Sequence, residues 1–236
     1  MTLYLCAARS FGSDLGQPIA TAQRVLGNTH GTTVSAIYRL VIVYLNQEQY
    51  DRTKEFLFKA LEIKRRIVGE EHPEIFRNVN SLAVLCTKQK QYEQAERFFD
   101  RALKGRKLKL GEDHPETLQT INDFGVLRRE QKRYKEAESL LRPALGGRQD
   151  KLGKEHPACF ESVHELAVLC NDQGDYDKAE QLIIEAIEGR HLRLGDTHPY
   201  TLKSWNNLIE LYEAWGKPEE AEEWRAKLPQ PEAVDE

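Results

Sequence analysis

Leu110-Gly111-Glu112-Asp113-His114-Pro115-Glu116-Thr117-Leu118 is the stretch on which the reading turns. Its His-Pro dyad recurs at His72-Pro73, His156-Pro157 and His198-Pro199, and each step is 42 residues. The glycine three residues upstream keeps time at Gly69, Gly111, Gly153 and Gly195, and one step further back stand Gly27 and His30, with Gly31 in place of proline. Tyr50, Tyr92, Tyr134 and Tyr176 follow the same beat. So do Ala95, Ala137, Ala179 and Ala221, and a second set at Ala60, Ala102, Ala144 and Ala186. Columns held in register over this distance define an array of five repeats starting near residues 30, 72, 114, 156 and 198.

Each repeat reads as two helices. Proline is tolerated in a first helical turn, where its missing N–H would be unpaired anyway. The residue before it is disfavoured from helical geometry, so His-Pro marks a helix start. The upstream glycine suits a helix C-terminal stop. First helices are predicted near 32–46, 73–89, 115–131, 157–173 and 199–215, and second helices near 50–66, 92–107, 134–150, 176–192 and 218–228. Val79, Leu82, Ala83 and Cys86 make one buried stripe at i, i+3, i+4, i+7. After the polar break Lys88-Gln89-Lys90-Gln91, the residues Tyr92, Ala95, Phe98, Phe99, Ala102 and Leu103 make another. Ala83, Gly125 and Ala167 on first helices, with Ala95, Ala137 and Ala179 on second helices, let antiparallel partners approach closely. Pro143 falls inside a second helix and should kink it, and Gly146-Gly147 weaken the same helix.

Composition narrows the function. The chain has 236 residues, 40% hydrophobic and 31% charged, with a net charge of -4. That is the profile of a helix-rich globular chain, and it argues against a general grip on nucleic acid. No apolar run approaches the roughly 18 residues that span a bilayer, so no membrane association is expected. Leu3-Tyr4-Leu5-Cys6 lacks a preceding basic segment and a small residue before the cysteine, so it does not read as a secretion signal. Cys6, Cys86, Cys159 and Cys170 form no C-x-x-C pair and are expected to be free, mostly buried thiols in a reducing cytoplasm. P-loop, nucleophile-elbow and zinc patterns are lacking, and repeat histidines spaced along an axis do not converge on one ion. The chain is therefore read as a non-enzyme without catalytic residues, metal or cofactor.

The residues Val79, Leu82, Ala83, Cys86, Ala95 and Phe99, and in the last repeat Trp205, Leu208, Ile209, Tyr212 and Ala221, resemble the tetratricopeptide pattern. The 42-residue period with Leu-Gly-Glu-Asp-His-Pro-Glu-Thr-Leu is similar to the kinesin light chain and nephrocystin-like subgroup. The resemblance covers about residues 27–228. It implies an all-α, right-handed superhelical solenoid whose first helices line a concave groove for peptide segments.

The face of the first helix opposite its buried stripe then supplies the expected peptide-binding residues. They are Tyr38 and Asn46 in the first repeat, Arg77, Asn80, Val84 and Lys88 in the second, and Gln119, Asn122, Val126 and Arg129 in the third. His164 follows in the fourth, and Lys203 and Asn206 in the fifth. Asn80, Asn122 and Asn206 form a column interrupted by His164. An asparagine amide offers both a donor and an acceptor to a peptide bond, and in the resembled family such asparagines contact ligand backbone. Arg77, Lys88 and Arg129 make the N-terminal half of this face basic, while Glu161, Asp172, Glu210 and Glu213 make the C-terminal half acidic. An acidic or carboxylate-bearing peptide is expected across repeats two and three, with Ile42, Val84, Val126 and Val168 as an apolar floor.

Residues 1–26 read as a degenerate N-terminal capping segment, 27–228 as the repeat array, and 229–236 as a disordered acidic tail. The charged helix carrying Glu219, Glu220, Glu222, Glu223, Arg225 and Lys227 reads as a polar cap. A monomeric adaptor is one function class; a regulatory repeat module of a larger enzyme or signalling assembly is the other, and the sequence leaves both open.

Overall fold

The computed structural model describes residues 31–229; the expected capping segment 1–26 and the tail beyond residue 229 lie outside them. Every regular element among the described residues is a helix, and the helices follow one another in helix-turn-helix pairs. The chain divides into two compact units at Leu110/Gly111. The first holds α1 (Gly31–Asn46), α2 (Tyr50–Val68), α3 (Pro73–Lys88) and α4 (Tyr92–Leu110). The second holds α5 (Pro115–Glu130), α6 (Tyr134–Leu152), α7 (Pro157–Asp172), α8 (Tyr176–Leu194), α9 (Pro199–Ala214) and α10 (Pro218–Ala226). First helices end within a residue of expectation, whereas α2, α4, α6 and α8 run two or three residues further, because their charged last turns remain helical.

The His-Pro starts act as full caps. In His72, His114, His156 and His198 the ring Nδ1 accepts from the backbone N–H two residues on, at 3.3, 3.2, 3.2 and 3.3 Å. Each therefore satisfies one of the orphan donors of the following helix, the task usually done by Ser or Asp. The preceding glycines sit at φ of 83–95°. At Gly153, φ 86° with ψ 151° lies in a region open essentially to glycine alone, which fixes that residue before each His-Pro.

In the first unit Val79, Leu82, Ala83 and Cys86 are fully buried, and Tyr44 stacks on Phe56 at 5.4 Å. In the second unit Ala167, Ala179, Ile183, Leu208 and Tyr212 form the core of the last repeats, closed by Trp205 and Trp224 edge to face at 5.3 Å. Cys86, Cys159 and Cys170 are free and buried; Cys6 lies outside the described residues.

A further small-residue column was not anticipated. Gly105, Gly147 and Gly189, again 42 apart, lie on second helices where a first-helix side chain presses on the backbone. A Cβ at Gly105 would lie 2.1 Å from the Phe76 ring, and one at Gly189 2.1 Å from the Phe160 ring. At Gly147 it would lie 2.8 Å from Leu118. Gly147 is thus a close-approach site rather than a weakness, while Gly146 faces open space. Helix α6 continues through Pro143, whose ring is exposed; the missing N–H removes one ladder bond without ending the helix.

Gly189→Ala should therefore destabilise by about 1–3 kcal/mol through overpacking against Phe160. Gly146→Ala should stabilise by about 0.5–1 kcal/mol through helix propensity. Paired urea denaturation midpoints check the opposite signs.

Candidate protein-binding face

What a first helix can offer a partner depends on which of its polar groups the fold already uses. The largest internal user is a column of buried cations on the second helices: Lys64, Arg106, Arg148 and Arg190, 6%, 2%, 1% and 5% exposed. Arg148 donates to Ala158 O (2.6 Å), Ser162 Oγ (2.7 Å), Glu161 Oε2 (3.2 Å) and Gln119 Oε1 (2.5 Å). Arg190 repeats the pattern, donating to Tyr200 O at 3.0 Å, to Phe160 O at 3.2 Å and to Ser204 Oγ. One guanidinium fork thus holds its own helix, the first helix before it and the first helix after it. Such a buried charge is tolerable only because its donors are met. In the first unit Lys64 takes this place, pairing with Glu74 at 2.6 Å and lying 5.0 Å from the centre of the Tyr38 ring. The repeat spacing could have exposed this column, but basic residues on charged helices read as surface.

Across the first unit the first-helix face is short of acid. Helix α1 contains no Asp or Glu, and in α3 the single acid, Glu74, is paired with Lys64. Arg39, Arg77 and Lys88 are exposed, and among the described residues none is ion-paired. Tyr38 is half-buried; its hydroxyl donates to Asn78 Oδ1, and burial pushes its pKa up to about 12. Asn46 and Ile42 are exposed, Val84 is half-buried, and Asn80 is buried. Arg39 joins Arg77 and Lys88 here although the sequence reading did not single it out.

In the second unit the expected residues are more deeply engaged. Asn122 is 1% exposed, and its Oδ1 accepts from Ser162 Oγ at 2.8 Å, so it acts within the fold. Gln119 supports Arg148 and donates to Asp123 at 2.8 Å. Arg129 is paired with Asp172 at 3.0 Å and Glu130 at 2.8 Å, which cancels the basic character expected of it. Val126 is half-buried, and Lys203 and Asn206 are exposed.

His164 is 7% exposed, with Nδ1 2.9 Å from the Asn207 side-chain amide. Burial, with Lys203, Arg190 and Arg129 nearby, holds its pKa down to about 3, so the ring is neutral. It lines a cleft of 270 Å³ between α7 and α9 together with Glu161, Glu165, Arg190, Tyr200 and Lys203. Burial pushes the Glu165 carboxyl up, against the opposing pull of Arg129 and Lys203. Among the described residues no group of three or more His, Cys, Asp or Glu is placed to hold a metal ion, and no helix is long and apolar enough to cross a membrane.

The sequence matches the tetratricopeptide repeat family over residues 32–107, 74–150 and 159–225. The chain belongs to that family. Tetratricopeptide repeats generally mediate protein–protein interaction, and the family is generally non-enzymatic. The fold is similar to that of BtubC (BKLC) from P. vanneervenii, at 19% identity and TM-score 0.69 over 95% of this chain and 97% of that one. It is also similar to a Podosopora anserina putative kinesin light chain with nearly identical TPR-like repeats, at 23% identity and TM-score 0.61 over 84% and 94% of the two chains. A Rap protein solved with Competence and Sporulation Factor shares 15% identity and a TM-score of 0.59 over 84% of this chain and 63% of its own. No curated protein matches the sequence.

Within this tetratricopeptide array the buried forks carry a stability prediction. Arg190→Met should cost about 1–3 kcal/mol, because the Tyr200 and Phe160 carbonyls and the Ser204 hydroxyl each lose a charge-assisted donor; equilibrium unfolding against wild type checks it. A pH prediction follows from His164. Its folded pKa of about 3 lies below the ordinary 6.5, so between those values the unfolded chain binds the extra proton. Stability contributed by the neutral ring is complete above pH 6.5 and is lost as pH falls toward 3. The melting temperature should fall less steeply over that window in His164→Asn than in wild type.

Proposed function

We propose that the chain is an adaptor module that holds an extended, acidic segment of a partner protein along the first-helix face of residues 31–110. The observation that carries this reading is the acid-poor surface of α1 and α3, on which Arg39, Arg77 and Lys88 stand exposed and unpaired among the described residues. Exposed Ile42 and half-buried Val84 provide apolar contact between those charges. A carboxylate meeting Arg77 gains a charge-assisted, geometrically specific contact, and the surrounding basic field speeds encounter. Arg129, included on sequence grounds, drops out because its guanidinium is matched by Asp172 and Glu130. The exposed Asn46 offers its amide to ligand backbone.

A fluorescent twelve-residue probe of alternating Glu and Ala, with one Leu, tests this by anisotropy across a salt series. Arg77→Glu with Lys88→Glu should weaken binding on the order of tenfold or more and flatten its salt dependence. Lys135→Glu, on α6 in the other unit, should change neither. Unaltered affinity in the double variant would sink the assignment.

A further inference from the structure

We propose that the α7–α9 cleft in the second unit receives a lysine or arginine side chain of an extended partner segment, with Glu165 as its counter-ion and His164 as donor to the adjoining backbone carbonyl. The inference rests on the reading that first-helix faces hold an extended segment, and it gives this second face an opposite specificity.

Three features of the cleft converge. Glu165 has no hydrogen bond or ion pair among the described residues, and it stands one turn from Glu161 on the same helix. His164 is more than nine-tenths buried, and its Nδ1 is engaged by the Asn207 amide. With that amide donating, the neutral ring carries its proton on Nε2, a donor without a partner among the described residues. The walls suit a long aliphatic stem ending in a cation: Leu194 and Pro157 are apolar, and the Tyr200 ring, 60% exposed, offers a π face.

Arg129 and Lys203 attract the Glu165 charge, but among the described residues no cation hydrogen-bonds or ion-pairs with it. Arg190 is held by two backbone carbonyls and Ser204, and Arg148 turns to Glu161 from behind. Lys203 is exposed at the rim and is ion-paired to nothing among the described residues. Glu161 and Asp123 add negative charge near Glu165, and Arg129 is paired with Glu130 and Asp172. Burial already raises the Glu165 carboxyl, so an arriving ammonium or guanidinium would supply the missing stabilisation of its ionised form.

The probes are blocked amino acids titrated into ¹⁵N-labelled full chain: N-acetyl-lysine methylamide, N-acetyl-arginine methylamide and N-acetyl-glutamate methylamide. The basic probes should give saturable millimolar shifts at the Glu165 amide and the His164 ring nitrogens, and the acidic probe none there. Glu165→Gln should weaken the basic probes on the order of tenfold. Lys203→Met should tighten them several-fold by removing a like charge. An anionic occupant predicts both signs reversed, and that result overturns the proposal. So does the lack of saturable shifts at the cleft with either basic probe. If the Arg77→Glu, Lys88→Glu effect on the acidic twelve-residue probe survives such a failure, only the cleft assignment falls. If that effect is lost while the cleft still binds lysine, the acidic-segment reading falls instead.

Discussion

A guanidinium with almost no access to water sets the terms for the second unit. Arg148 and Arg190 are too costly to bury unless each N–H finds an oxygen. The oxygens come from fixed places: a carbonyl in the first turn of the next helix pair, a hydroxyl one turn further on, and a group on the preceding first helix. The length of every second helix, the glycine break after it and the His-Pro start that follows must all deliver those acceptors to one point. Hydrophobic packing tolerates some sliding between helices, whereas a fork of directed hydrogen bonds does not. Within the second unit this requirement holds the 42-residue step constant from one fork to the next.

The tetratricopeptide architecture was legible because its punctuation is chemical. Proline, histidine and glycine at fixed offsets specify where helices begin and end, and the structure places the first helices within a residue of that reading. Gly147 shows where such reading fails. In isolation it weakens a helix, and only the position of Leu118 on another helix gives it a purpose. Pro143 is the converse case, a nominal breaker that the helix absorbs because the ring faces solvent.

The candidate face was legible in outline but not in its details. Column positions picked out exposed residues such as Arg77, Lys88 and Asn206 together with buried ones such as Asn80, Asn122 and His164, and residue type said little about which side chains remain available. Asn122 looks like a ligand-facing amide until Ser162, 40 residues on, claims its oxygen. Arg129 looks like a basic anchor until Asp172 is brought within 3.0 Å. In both cases the deciding partner comes from the next repeat, and its identity depends on the rotation of one helix against another. Periodicity alone does not fix that rotation to the precision of a hydrogen bond. The first-helix faces of the two units consequently differ more in electrostatic character than their shared pattern suggests: one carries Arg39, Arg77 and Lys88 without ion pairs among the described residues, whereas in the other Arg129 is matched by Asp172 and Glu130.

The phase-locked placement of Arg148 and Arg190 also bears on how such an array can evolve. Each fork addresses its acceptors by offset, and Ser162 and Ser204 occupy the same offset with the same hydroxyl. Recombination that removes or duplicates the whole 42-residue step between the two forks would keep each arginine opposite a first-turn carbonyl and a serine hydroxyl. A slip of even one residue would strand a buried cation. Gain and loss of complete modules is therefore the structurally cheap route to new binding surfaces, whereas lengthening a glycine-histidine junction would move the acceptors away from a buried guanidinium.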